Sequence, residues 1–262
     1  MNTPPLKLDE LSSMDLDALL SDAERQSVAL LPLGSVEPHG PHMPLSTDRL
    51  LSEENALRAT ARLRAEGVLS FIAPSVAYGV TDYADGFCGA ISLPIEVFQS
   101  LIVSIVEGYL KAGFRHVCLI NHHLEPGQLE AIRAAVIDLK RRHGEQSVSA
   151  PMVVSRRWGR ALGDEFKSGA CHAGAYEGSM ICRSHPELYQ RARADSLPSL
   201  SISLSEAIQR GEPGFKAIGM TLAYTGSPER AEAEEGERLY QAHTAMVTTE
   251  VLEALDISPE TP

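Results

Sequence analysis

The sequence Val28-Ala-Leu-Leu-Pro-Leu-Gly-Ser-Val-Glu-Pro-His-Gly-Pro-His-Met-Pro-Leu-Ser-Thr-Asp48 decides the fold and contains the first candidate functional residues. Residues 28–33 form a continuous apolar run, which is typical of a parallel strand covered on both faces. Gly34 ends the run, and acids and histidines follow it: Glu37, His39, His42 and Asp48. Carboxylates supply oxygen ligands and neutral imidazoles supply nitrogen ligands, so this composition indicates a site for Zn²⁺ or a similar metal ion.

Strands and helices are predicted to alternate along the rest of the chain. Short apolar runs predict further strands at 69–73, 117–120 and 152–155. Helical spacing predicts helices at 9–20, 50–67, 95–112, 128–142 and 231–255, with another beginning near residue 179. This alternation predicts an α/β fold, a three-layer αβα arrangement in which helices flank a mostly parallel sheet. The length favours one domain over residues 1–262.

Composition excludes several classes of partner. The formal net charge of -12 and the isoelectric point near 5.2 argue against nucleic acid or an anionic membrane, since both select clustered Lys and Arg. The four cysteines form no C-x-x-C pair, which fits a reducing compartment. The N-terminus lacks a signal-peptide pattern, and no apolar run approaches the roughly 20 residues of a membrane span. We therefore expect a cytoplasmic protein.

Two short motifs mirror one another at the ends of predicted strands: Glu37-Pro-His39 and His123-Leu-Glu125. Residues i and i+2 of an extended segment point the same way, so each motif can aim a carboxylate and an imidazole at one point. With Asp48 as a bridge, this set could hold two divalent cations about 3.5–4 Å apart.

Each of these residues also has a structural interpretation. Asp48 could serve only as a helix N-cap, and Glu125 only as a favourable acid before a helix start. Histidines in such segments are often only hydrogen-bonded structural residues, which here applies to His39, His42, His122 and His123. The combination at two strand ends favours the metal site.

The spacing of the first motif resembles that of the creatininase, or creatinine amidohydrolase, family. Gly34-Ser-Val-Glu-Pro-His-Gly-Pro-His-Met-Pro-Leu-Ser-Thr-Asp48 follows the family pattern Gly-Ser-x-Glu-x-His-Gly-x-His-x-Pro-x-x-x-Asp in order and spacing. Asn121-His-His-Leu-Glu125 is similar to the second family motif, with His122 in place of a glycine. The resemblance implies a ligand set for two metal ions, Zn and/or Mn with Fe as a further candidate: Glu37, His39, Asp48, His123 and Glu125.

A third segment, His172-Ala-Gly-Ala-Tyr-Glu-Gly-Ser179, resembles the family motif in which a histidine precedes a glutamate by five residues. The expected chemistry is attack on an amide carbonyl by a metal-bridging water, followed by proton delivery to the departing nitrogen. We assign the proton donor to His172, with Glu177 orienting its ring, although both could instead form only a turn at a helix start. His122 is either a second acid or base or a group that blocks the pocket.

The resemblance implies an amidohydrolase that cleaves a C–N bond of a small amide, lactam or formamide. Peptides are a further substrate class that the resemblance to the family allows. The alternative is a metal-binding or ligand-binding member of the fold that has lost turnover. The family also implies a homo-oligomer, often a hexamer, and the Ser-, Pro- and Gly-rich residues 193–219 are the candidate subunit contact.

Overall fold

The computed structural model describes residues 6–22 and 25–258, so residues 1–5, where a signal peptide would begin, lie outside the described part. Its sheet contains five parallel strands in the order β1-β3-β2-β4-β5. They are β1 (Leu6–Lys7), β2 (Ser27–Leu33), β3 (Leu69–Ile72), β4 (His116–Asn121) and β5 (Val148–Ser149). The apolar run 28–33 therefore lies in the central strand, as the sequence predicts.

Nine α-helices are present among the described residues. They are α1 (Ser13–Leu20), α2 (Thr47–Ala65), α3 (Ile95–Lys111), α4 (Pro126–His143), α5 (Asp164–Lys167), α6 (Ala175–Ser184), α7 (Arg191–Asp195), α8 (Leu204–Gln209) and α9 (Ala233–Ala254). None of these helices is both long enough and apolar enough to cross a membrane. Residues 193–219, the candidate subunit contact, contain α8 and the end of α7.

Alternate residues of β2 pack into two different helix layers. Ala29, Leu31 and Leu33 face one side of the sheet, in a core that also contains buried residues of α3 and α4. Val28 and Leu30 face the other side, in a core shared with α2 and α9. Because successive side chains of a strand point to opposite faces, a run that is buried on both faces must be apolar throughout. This confirms the three-layer αβα arrangement.

The predicted strand at 152–155 is wrong. The last strand of the sheet is β5, at 148–149, and Pro151 follows it without a backbone N–H to continue the ladder. The chain then turns, with Ser155 N donating to Met152 O at 3.0 Å. Val153 is buried in a core that contains residues of α2, α6 and α9, so this side chain packs outside the sheet.

His116 gives the fold a pH-dependent stability. Its ring is buried in β4, where Nδ1 donates to Gln146 O at 2.7 Å and Nε2 lies 2.8 Å from Ser149 Oγ. Burial lowers the pKa of His116 to about 4, whereas an unfolded histidine titrates near about 6.5. Between these values the unfolded chain binds more protons, so the free energy of unfolding falls as the pH falls.

We expect wild-type protein to lose about 2 kcal/mol more unfolding free energy than His116→Gln between pH 7.5 and pH 5, from the pKa difference. Denaturant unfolding of both proteins in the presence of a chelator measures this difference. Equal losses would show that the His116 ring does not titrate with folding.

Candidate metal centre

Two adjacent strand ends bring the first two sequence motifs together. Leu33 of β2 is paired in register with Asn121 of β4, so the segments that leave these strands start side by side. Gly34 lies against the first turn of α2, where an added Cβ would come within 2.6 Å of the Arg49 backbone nitrogen. The absence of a side chain at this position lets α2 approach β2 closely, which places Asp48 beside Glu37.

Three buried carboxylates converge with three imidazoles at this point. Asp48 is central, because its Oδ1 lies 3.3 Å from His39 Nε2 and its Oδ2 lies 3.3 Å from His123 Nδ1. Glu37 Oε1 lies 3.2 Å from His123 Nδ1 and 3.6 Å from His172 Nδ1. Glu177 Oε2 completes the set, 3.6 Å from His39 Nε2. The three acids are at most 3% exposed.

The backbone fixes which ring nitrogen of each histidine faces the carboxylates. His39 Nδ1 lies 3.2 Å from Glu37 O, His123 Nε2 lies 2.7 Å from Val80 O, and His172 Nε2 lies 3.0 Å from Pro38 O. Carbonyl oxygens only accept, so these nitrogens must donate. In each neutral ring the other nitrogen then turns a lone pair toward carboxylate oxygens, which is the orientation of a metal-binding histidine.

Two further side chains hold the carboxylates in place. Ser35 Oγ donates to Asp48 Oδ2 at 2.7 Å, and Thr81 Oγ1 donates to Glu37 Oε2. Glu177 Oε2 accepts from Ala173 N at 2.7 Å, where a φ of 54° turns the chain between His172 and α6. A non-glycine residue in this left-handed region is uncommon and marks a locally constrained backbone.

The electrostatics of the cluster favour a positive charge among its three carboxylates. Burial alone would lower the pKa of His39, but Asp48, Glu177 and Glu37 together raise it to about 10. Burial likewise opposes protonation of His123, and the carboxylates Glu37 and Asp48 raise its pKa well above the usual value. Burial raises the pKa of Glu177 to about 8. The carboxylates therefore require a proton on the rings or a cation between them.

The donor set fits divalent metal ions. His39 Nε2 is buried and has no hydrogen-bond partner, although carboxylate oxygens of three acids surround it. Three groups of described residues place their ligand atoms within 4.8 Å of one another: Glu37 with Asp48 and His123, His39 with Asp48 and Glu177, and Glu37 with His39 and His172. Asp48 belongs to the first two groups through different oxygens, so it can bridge two ions.

The structure does not bring all predicted residues into this cluster. Glu125 belongs to none of the three ligand groups among the described residues, but its side chain lines the adjoining cavity. Burial raises the pKa of Glu125 to about 7. His42 packs edge-on against Tyr189 and Tyr224 and is likewise in none of these groups. The Glu177 carboxylate contacts Ala173 N, whereas His172 donates to Pro38 O.

His122 lies behind the cluster and does not line the cavity. Its Nε2 lies 3.3 Å from Asn55 Nδ2 of α2, and its ring centroid is 4.5 Å from that of His243 in α9. His243 Nε2 is in turn 2.7 Å from the Tyr176 hydroxyl of α6. This buried chain of polar contacts connects the elements that carry Asp48, His123 and Glu177. The roles of acid, base or pocket-blocking group predicted for His122 stay predictions.

A cavity of about 470 Å³ opens beside the cluster. Glu37, Asp48, His123, His172 and Glu177 contribute to its lining. Its apolar wall consists of Leu124, Pro126, Val154, Phe166, Leu204, Ile208 and Phe215. The Cys171 thiol also lines the cavity, but burial raises its pKa to about 12, so a thiolate nucleophile is disfavoured.

The wall of the cavity contains residues that the sequence did not indicate as part of the site. Phe215 stacks on His172 with ring centroids 4.5 Å apart, and Leu204 and Ile208 come from α8. All three lie within residues 193–219, which the sequence suggested as a subunit contact. An amphipathic pattern in so short a helix gives little signal, so only the tertiary structure shows that this segment encloses the cavity.

Comparisons with known proteins identify relatives of this chain. The sequence profile described as Creatininase: Creatinine amidohydrolase matches residues 9–251. A mycofactocin precursor peptide peptidase of Mycobacterium ulcerans (strain Agy99) is 31% identical over 219 residues, which cover 80% of this chain and 79% of the relative. A creatinine amidohydrolase of Pseudomonas putida is 26% identical over 225 residues, covering 78% and 83%. The solved structure "Creatininase Mn" has a TM-score of 0.74 at 21% identity, covering 95% and 98% of the two chains.

Proposed function

This chain belongs to the creatininase family, and we propose that it is a metal-dependent hydrolase that cleaves the C–N bond of an amide. The main support for this proposal is the arrangement of His39, His123 and His172. Each ring donates to a backbone carbonyl and turns its other nitrogen toward buried carboxylates. Without a cation, neutral rings would leave lone pairs facing one another at these distances.

We assign one divalent cation to Glu37, Asp48 and His123 and a second to His39, Asp48 and Glu177, because the shared residue Asp48 presents a different oxygen to the histidine of each group. The ligand set thus contains Glu177 in place of Glu125, which the sequence suggested. Zn²⁺ and Mn²⁺ both accept mixed carboxylate and imidazole ligands, and Fe is compatible with the same donors. The solved relative described as "Creatininase Mn" supports a divalent metal of this kind.

Bound cations of this kind polarise a carbonyl group and lower the pKa of a water molecule. The protein residues then have separate roles. Glu125 lines the cavity outside the ligand groups, so its carboxyl can take up a proton and deliver it to the departing nitrogen. His172 donates to Pro38 O and stacks on Phe215, and its Nδ1 lies 3.6 Å from Glu37 Oε1. It is the second candidate for moving this proton.

Two of the relatives support amide bonds as the substrate class. One is named as a peptide peptidase and another as a creatinine amidohydrolase, and both names describe C–N bond hydrolysis. A cavity of about 470 Å³ has room for a small amide or a short peptide segment. The cytoplasmic location, the assembly into oligomers and the single domain remain predictions from sequence.

Removal of metal is expected to abolish turnover. Protein stripped with a chelator should hydrolyse none of a panel of lactams, formamides and short peptides, and Zn²⁺ or Mn²⁺ should restore hydrolysis of at least one of them. Elemental analysis should find two ions per chain in the active form. Equal activity in the stripped protein would contradict the proposal, while full metal content without turnover would favour the metal-binding alternative.

A further inference from the structure

Three positively charged side chains line the cavity beside the cluster of carboxylates and imidazoles: Arg156, Arg160 and Lys167. All three side chains are exposed, whereas Glu37, Asp48 and Glu177 are almost completely buried. The acids therefore lie at the base of the cavity and the cations lie toward its mouth.

The guanidinium groups of Arg156 and Arg160 make no hydrogen bond and no ion pair with any residue in the described part of the chain. Their neighbour Arg157 behaves differently, because it forms two hydrogen bonds to Glu253, at 2.8 and 2.7 Å, and stacks on Trp158. Among the described residues, the only ionic contact of the Lys167 ammonium group is with Asp164 Oδ1, at 4.0 Å. In a chain with a formal net charge of -12, unpaired arginines at a cavity leave their donors available to a ligand.

The charge of the lining changes when metal is present. Four carboxylates line the cavity, those of Glu37, Asp48, Glu125 and Glu177, against the three cations at the mouth. On the proposed function, two divalent ions add four positive charges and offset the four carboxylates. The three cations at the mouth then remain uncompensated, and they would attract an anion.

We propose, on the basis of the proposed function, that Arg156 and Arg160 bind a carboxylate of the substrate, with Lys167 adding positive charge. The substrate class is therefore an amide that carries a free carboxylate near the scissile bond. The planar guanidinium fork matches a carboxylate with two parallel hydrogen bonds, and the apolar wall formed by Val154, Ile208 and other residues accommodates the rest of the molecule. The carboxylate can belong to the amine side, as in an N-acyl amino acid or a peptide C-terminus, or to the acyl side, as in a dicarboxylic acid monoamide.

Paired substrates test this inference with metal-loaded protein. N-acetyl-leucine and glycyl-leucine are compared with their C-terminal amides, and glutaric acid monoanilide is compared with its methyl ester. We expect at least one acid to exceed its neutral partner in kcat/KM by about 10-fold to 100-fold, the range typical of a charge-assisted hydrogen bond. The pair that shows the preference identifies the side of the amide that carries the carboxylate. The preference should decrease at high salt.

The double variant Arg156→Ala/Arg160→Ala should reduce this ratio to near one, mainly through KM, while Arg157→Ala should leave it unchanged. Thermal unfolding and metal content establish that each variant is folded and loaded. A preference that persists in the double variant would overturn the inference, because the metal ions alone would then bind the carboxylate. Equal rates for acids and neutral partners in the wild type would also overturn it and would leave the proposed function intact.

Calorimetric binding separates this inference from the proposed function if no substrate is turned over. The probes are the ketomethylene isosteres of glycyl-leucine and of glutaric acid monoanilide, each compared with its neutral derivative, a C-terminal amide or a methyl ester. None of them contains the scissile amide bond. Tighter binding of the acid that depends on Arg156 and Arg160 would support carboxylate recognition even without hydrolysis. Equal affinity of acid and neutral derivative in both pairs would contradict it.

Discussion

Asp48→Asn is expected to abolish both metal binding and hydrolysis. Asp48 is the only residue shared by the two proposed ion sites, and each of its oxygens faces a different imidazole. An amide has one oxygen and one nitrogen that bears hydrogen, so asparagine cannot bridge two cations. We expect less than one ion per chain by elemental analysis and at least about a 1,000-fold loss of kcat/KM, equivalent to about 4 kcal/mol of transition-state stabilisation.

A thermal shift provides a readout for Asp48→Asn that does not depend on turnover. A ligand that binds only the folded state at 100 times its Kd stabilises that state by about 2.7 kcal/mol, so added Zn²⁺ or Mn²⁺ should raise the Tm of the wild type. The variant should show little shift. Glu53→Gln is the matched control, because Glu53 lies on the same helix but pairs with Arg49 and Ser75. Normal metal content in Asp48→Asn would exclude the bridging role.

Glu177→Gln and Glu125→Gln are expected to have different effects, although the chemical change is the same. Glu177 Oε2 lies 3.6 Å from His39 Nε2 within a ligand group, so its replacement should remove one of two ions and most activity. Glu125 lines the cavity outside those groups, so its replacement should leave two ions bound. Loss of a proton-transfer group typically lowers kcat by about 100-fold to 10,000-fold.

Elemental analysis and steady-state kinetics on the same preparations distinguish the two variants. The sequence motifs alone suggest the opposite result, with Glu125 as a ligand and Glu177 supporting His172. Loss of metal in Glu125→Gln with full metal content in Glu177→Gln would therefore favour the interpretation from sequence and contradict the one from geometry.

Much of the fold could be predicted from the pattern of apolar residues. Continuous apolar runs at 28–33 and 117–120 correctly predicted buried parallel strands, because both faces of β2 and β4 are covered by helices. The strand predicted at 152–155 was wrong. A short apolar segment that packs on helices has the same composition as a short buried strand, and only its hydrogen bonds separate the two.

The residue types in the sequence and their spacing were enough to indicate the candidate metal site. The spacing of Glu37, His39 and Asp48 after a buried strand indicated a metal site, and the structure brings these residues together with His123. Local spacing sufficed here because parallel strand ends lie side by side, as the register of Leu33 with Asn121 shows.

The positions of the remaining candidate residues became clear only from the tertiary structure. Glu125 and Glu177 are both acids near a histidine in sequence, but the turn at Ala173 directs Glu177 into the cluster, while Glu125 faces the cavity. Arg156 and Arg160 lie far in sequence from Glu37 and reach the same cavity through the packing of separate segments. The direction of a side chain depends on backbone angles and on long-range packing, and residue spacing alone encodes neither.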